Sequence, residues 1–269
     1  MINLTELQKL YPYPAGFDRS ALREYFQYKI MDILFRQGIG NKLCFLGGTA
    51  IKFCYGGRRY SEDLDFDNRG ISPEEFEALV ETVGQELGRE GYRVDVRNSF
   101  KNAFRSRVGI EGVYHDNGLS PLPNEKLMIQ IDMAPQDFAF EPQTYMLQKY
   151  EVLRTIAVVP VQTILSQKVA AVIGRKRAKG RDFYDIVYLR GFTEFDFSYL
   201  KDKLGIVDVV ELKKKLLEVT AGFDFDALAT DVMPFLVNRE EVEYVRQFRT
   251  YIEQKLWSWS KIERNVDKL

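Results

Sequence analysis

The chain predicts an α/β (α+β) fold: a mixed sheet with flanking helices over residues 1–159, followed by a helical C-terminal domain over 160–269. Three observations predict it. Apolar residues recur at helical spacing in two segments of the first part, three later segments alternate with period two, and beyond Pro160 the helical period takes over almost completely.

The first helix is expected over 18–37, where Leu22, Phe26, Ile30, Ile33 and Leu34 share a face between an Asp or Ser cap and a stop at Gly38. It is expected to pack on the first strand. That strand ends at Leu43, Phe45 and Leu46, and Gly47-Gly48 turns the chain into a short helix over 49–55. In the next strand Asp63, Asp65 and Asp67 share one face and Leu64 and Phe66 the other, with next-but-one positions about 6.5 to 7 Å apart. Ser72 as N-cap and Pro73 at the first helical position open a helix with Phe76, Leu79, Val80, Val83 and Leu87 on its inner stripe. Residues 92–98, 103–114 and 126–134 then alternate as strands. The C-terminal helices are expected to end in one long helix over 239–259. No internal repeat, low-complexity tract or heptad array interrupts the chain.

Composition narrows the chemistry. The 38 Lys and Arg residues nearly balance the 39 Asp and Glu, so the whole molecule has no strong field, and nucleic-acid binding would rest on local clusters. Cys44 and Cys54 are the only cysteines and His115 the only histidine, which excludes a zinc site built from Cys and His. Both thiols are expected to be reduced and in the core, and His115 falls in a turn-rich stretch. MINLTELQKL lacks the basic start and long apolar run of a signal peptide, and no apolar segment is long enough for a bilayer. The expectation is a cytoplasmic protein with no membrane partner.

The densest chemical signal is LGGTAIKFCYGGRRYSEDLDFD, from Leu46 to Asp67. A Gly-Gly turn aims backbone N–H groups and a helix N-terminus at an anion, and two carboxylates on one strand face can hold a hard divalent cation. The block resembles the signature of the DNA polymerase beta-like nucleotidyltransferase superfamily. More narrowly, RYSEDLDF resembles the AbiEii/AbiGii toxin family of nucleotidyltransferases, toxins of type IV toxin–antitoxin and abortive-infection systems.

The resemblance extends from about Leu46 to Leu189. Asp132 lies on the polar face of a strand that buries Leu127, Ile129, Ile131 and Met133, either as a solvated edge position or as the third carboxylate that such enzymes place beside the Asp pair. Lys168 interrupts the apolar stripe of Val161, Ile164, Leu165, Val169, Val172 and Ile173, where it snorkels or meets an anion; the resemblance implies nucleotide phosphate. In RDFYDIVYL, Asp182 and Asp185 share a helical face, either as cap and first-turn acids or, as the resemblance implies, as a site residue and its support. Arg175, Lys176, Arg177, Lys179 and Arg181 form a basic segment that is a solvated face unless the acceptor is RNA.

The resemblance implies transfer of a nucleoside monophosphate from a nucleoside triphosphate to a hydroxyl, with RNA (tRNA) as acceptor and a cognate antitoxin as partner. It also implies Mg²⁺, or Mn²⁺, on Asp63, Asp65 and Asp132. Gly47, Gly48, Arg59, Ser61 and Lys168 would bind the nucleotide, and Asp182 would orient Lys168 or the nucleotide. A small-molecule (aminoglycoside-like) nucleotidyltransferase, a non-catalytic nucleotide or RNA binder and a metal-dependent nuclease are the alternatives.

Overall fold

The computed structural model describes residues 2–39, 42–100 and 103–255. The chain falls into two compact units that divide between Val159 and Pro160. The first contains α1 (Leu4–Leu10), α2 (Asp18–Arg36), β1 (Leu43–Leu46), α3 (Gly47–Cys54), β2 (Leu64–Asn68) and α4 (Pro73–Arg89). It continues with β3 (Arg93–Ser99), β4 (Phe104–Glu111), α5 (Val113–Asp116), β5 (Lys126–Ala134), β6 (Gln143–Lys149) and β7 (Val152–Val158).

Seven strands form one mixed sheet in the order β3-β4-β5-β2-β1-β7-β6. β1 runs antiparallel to β2 and parallel to β7, while β2 runs parallel to β5. Both strands of the Leu46–Asp67 block therefore sit mid-sheet, paired on each side. The alternation in β5 is as expected, with Leu127, Ile129, Ile131 and Met133 fully buried and Asp132 on the other face. The entry to α4 has both halves of a capping box: Ser72 Oγ accepts from the Glu75 N–H, and the Glu75 side chain accepts from the Ser72 N–H.

Several expectations are corrected. The N-cap of α2 is Phe17, which has no side-chain acceptor; Asp18 lies inside the first turn and accepts the Tyr13 hydroxyl at 3.0 Å. Rather than β1, α2 packs chiefly on β7 and α4, because α3 folds back against β1 and β2. The strand expected to reach residue 114 stops at Glu111. Val113 and Tyr114 are both buried, which period two cannot supply for neighbours, and one helical turn can. His115 is exposed on that turn. The hairpin β6–β7 has no counterpart in the sequence reading. Its turn residues Tyr150 and Glu151 take φ of 54° and 66° without the Gly or Asn that usually marks such a turn.

The second unit is helical: α6 (Val161–Gly174), α7 (Gly180–Arg190), α8 (Phe197–Leu204), α9 (Val209–Val219), α10 (Phe225–Val232), α11 (Glu243–Arg246) and α12 (Phe248–Gln254). Asp196, Asp208 and Asp224 cap α8, α9 and α10 through their side chains. Phe183 and Phe248, both fully buried, meet edge to face at 4.8 Å in its core. The expected long terminal helix is broken. A 3₁₀ turn at Arg239–Val242 leads into α11, and Gln247 separates α11 from α12, so that α11 packs on α7 and α12 on α9. Residues 256–259 of that expectation lie outside the described residues. Among the described residues no helix is long and apolar enough to cross a membrane.

Candidate active site

Leu46 is both the last residue of β1 and the N-cap of α3, so strand passes into helix with no loop between them. Such a join demands a backbone without side chains. Gly47 takes φ +81°, and a methyl group there would lie 2.4 Å from Asp65 Oδ2. A methyl at Gly48 would lie 2.6 Å from Arg59 Nη2 and 2.9 Å from Ser61 Oγ. The glycine pair thus brings a carboxylate, a guanidinium and a hydroxyl against the start of α3, whose N-terminus has no side-chain cap. Its N–H groups and helix dipole favour an anion there.

Two buried polar residues that sequence reasoning missed hold this loop. Thr49 Oγ1 donates to the Asp63 carbonyl, and Gln27 Nε2 donates to the carbonyls of Ser61 at 3.2 Å and Glu62 at 2.9 Å. Their only sequence signal is a polar side chain in an otherwise buried helical stripe. Arg59 is itself buried and donates from Nη1 to the Tyr60 carbonyl at 2.9 Å. Behind the site, Lys52 of α3 sits 3.2 Å from Glu24 of α2 and 4.4 Å over the Tyr60 ring.

The Asp-rich strand divides its carboxylates by role. Asp63 precedes β2 instead of lying within it. Asp65 is half-buried and stands in register beside Asp132 across the parallel β2–β5 pair. Asp67 is buried and accepts the Gln136 N–H at 2.9 Å; burial raises its pKa, and that hydrogen bond opposes the rise. Asp132 accepts from Arg105 Nε at 2.7 Å and from Gln130 Nε2 at 2.9 Å. Arg105 reads in the sequence as one of several basic residues scattered over the strands, and its pairing with Asp132 is visible only once β4 is known to run in register with β5. Its guanidinium is held charged by the hydrogen bond and field of Asp132, with smaller contributions from Asp63 and Asp65.

In the second unit, Lys168 of α6 lies 3.0 Å from Asp182 Oδ1 and 2.8 Å from Asp185 Oδ2, both on α7. Arg175 pairs with the other oxygen of Asp182. Both acids are buried. Asp182 is not the N-cap of α7, which is Lys179. The anion expected beside Lys168 is thus supplied by the chain itself.

Residues 29–251 match the family described as nucleotidyl transferase AbiEii toxin, type IV TA system. The chain belongs to the AbiEii nucleotidyltransferase toxin family. Among solved structures, JHP933 from Helicobacter pylori shares the fold, with a TM-score of 0.52 at 17% identity over 88% of this chain and 93% of that one. A candidate nucleotidyltransferase from H. pylori gives 0.50 at 18% identity over 87% and 96%. A search of curated proteins gives no significant match.

The AbiEii assignment raises the question of a divalent cation. The donor chemistry suits one: Asp63, Asp65 and Asp132 offer only hard oxygen ligands, and the absence of a side chain at Gly47 leaves the space beside Asp65 Oδ2 that a methyl would fill. Among the described residues the three are not drawn into a closed ligand cluster, and the cation that Asp132 holds is Arg105.

Proposed function

We propose that this AbiEii protein transfers a nucleoside monophosphate from a nucleoside triphosphate to a hydroxyl of RNA, with tRNA as the leading acceptor, and that a cognate antitoxin restrains it. The observation that carries the reading is the contact of the Gly47-Gly48 turn with Asp65, Arg59 and Ser61. It sets anion-binding groups beside a carboxylate pair, an arrangement that suits a triphosphate and is superfluous in a passive nucleotide binder.

In this reading the N–H groups at the start of α3, the Ser61 hydroxyl and the Arg59 guanidinium bind phosphate oxygens and offset the charge that grows on them. Asp63 and Asp65 would hold Mg²⁺, or Mn²⁺, with Asp132 completing the set once Arg105 releases it; a bound ion there would supply charge neutralisation and a lowered hydroxyl pKa. The acceptor oxygen attacks the α-phosphorus, its proton passes to an Asp132 oxygen, and the bond to the β-phosphate bridging oxygen breaks to release pyrophosphate. For Lys168 and Asp182 the proposal rests on the family resemblance: Lys168 contacts nucleotide phosphate, and Asp182 orients it.

The test is incubation with each α-labelled nucleoside triphosphate, Mg²⁺ and total RNA, alongside the Asp63→Asn variant. Label on RNA from the wild type and not from the variant is expected. Label on an aminoglycoside but not on RNA would overturn the acceptor. Expression of the wild type alone is expected to slow bacterial growth, and the variant to be harmless at matched protein level; equal growth would overturn the toxin reading.

A further inference from the structure

The second unit carries a cleft of about 640 Å³ between the loop that precedes α7 and the segment running from Gly222 into α10. One wall is basic, with Lys176, Arg177, Lys179 and Arg181. Lys176, Arg177 and Lys179 are exposed and make no ion pair among the described residues. The facing acids are committed to the backbone: Asp224 accepts the Ala227 N–H at 2.9 Å as the cap of α10, and Asp231 accepts the Gly180 N–H at 2.8 Å. Phe223, half-buried and 6.0 Å from Phe183, gives the cleft one aromatic surface.

Like charges gathered along six consecutive positions repel one another unless an anion is shared among them. The cleft is far larger than a single phosphate needs, and four of the residues that line it are cationic and fall between Lys176 and Arg181. Four cations along one cleft suit a polyanion that offers several phosphates, such as a polynucleotide. An aromatic surface recessed in a wall accepts a base only if the base is unstacked, which a single strand permits and a duplex resists.

We propose that this cleft binds single-stranded RNA, with the backbone along Lys176, Arg177, Lys179 and Arg181 and a base against Phe223. The proposal rests on the reading of RNA as acceptor, and names the surface that holds it. The experiment is a fluorescence-anisotropy titration with a labelled single-stranded RNA of about 12 nucleotides, across a salt series. The K176Q/R177Q/K179Q variant, shown to be folded by circular dichroism, is expected to bind roughly tenfold more weakly. Its slope of log affinity against log salt should be shallower by about 2, from three lost contacts at about 0.7 each. Phe223→Leu should weaken binding without changing the slope. An unchanged affinity and slope in the triple variant would overturn the proposal, as would an equal loss for duplex RNA, or a loss for a labelled ATP analogue in place of RNA. If the wild type labels RNA and the triple variant binds and labels it equally, the cleft assignment fails and the transferase reading stands. If the triple variant loses RNA binding while the wild type labels no RNA, the cleft assignment stands and the transferase reading fails.

Discussion

Lys168 Nζ lies 2.8 Å from Asp185 Oδ2, a carboxylate with no solvent exposure. The same ammonium also serves Asp182, whose other oxygen is taken by Arg175. Two buried acids thus share Lys168, with Arg175 joining at Asp182, and Lys168 has a structural duty of its own.

Lys168→Met is expected to destabilise the protein by about 3–5 kcal/mol, because it strands buried carboxylates that were paired. Adding Asp185→Asn should recover much of the loss. Urea midpoints of the single and double variants measure this directly, and a Lys168→Met protein as stable as the wild type would contradict that duty. Activity of the double variant then reads any phosphate contact apart from folding.

Gly47→Ala should suffer twice, from a methyl 2.4 Å from Asp65 Oδ2 and from φ +81°. A loss of about 1–3 kcal/mol in stability is expected, with transfer activity falling along with it. Gly88→Ala is the control. Within α4, with nothing inside 4 Å of the added carbon, it should be neutral or stabilising by up to about 1 kcal/mol. Equal behaviour of the two variants in thermal melts would refute the close approach of Gly47 to Asp65.

Asp65→Asn and Asp63→Asn are expected to reduce transfer by about a thousandfold or more while leaving the circular dichroism spectrum unchanged, since neither side chain fills the core. Turnover of either variant near the wild-type rate would remove it from the chemistry.

Glu24 sets an acid-side dependence of stability. Burial is the largest influence and pushes its pKa up, but Lys52, Lys149 and the Tyr150 hydroxyl together outweigh it, so the net direction is down. A depressed folded-state pKa gives stability that is complete above the unfolded value of about 4.3 and is lost as pH falls through the folded value. Glu24→Gln should therefore lower the urea midpoint at neutral pH, and the gap to wild type should narrow on acidification below about pH 4. A gap that widens instead would reverse the sign.

Local chemistry was legible in the sequence. The capping box at Ser72 and Glu75, the alternation of β5 and the resemblance carried by RYSEDLDF depend on neighbouring residues alone. What depends on partners distant in the chain was not legible. Arg105 reads as one of several basic strand residues until β4 is laid beside β5 and meets Asp132. Gln27 and Thr49 look like minor polar interruptions until the 61–63 loop reaches them. The β6–β7 turn escaped because Tyr150 and Glu151 adopt left-handed backbone without the usual residues, and the terminal helix because no Gly or Pro marks its break at Gln247.

The parallel pairing of β2 with β5 also determines when the site comes into being. Asp65 and Asp132 become neighbours only after the intervening α4, β3, β4 and α5 have been made and β5 has docked on β2, a non-local step whose loop-closure cost must be met before the pairing rewards it. During synthesis, a nascent chain that ends before Lys126 carries the glycine turn and the first two acids but has no strand with which to complete the set. In the proposed mechanism, the step that passes through Asp132 is thus withheld from unfinished chains by the order in which the strands leave the ribosome.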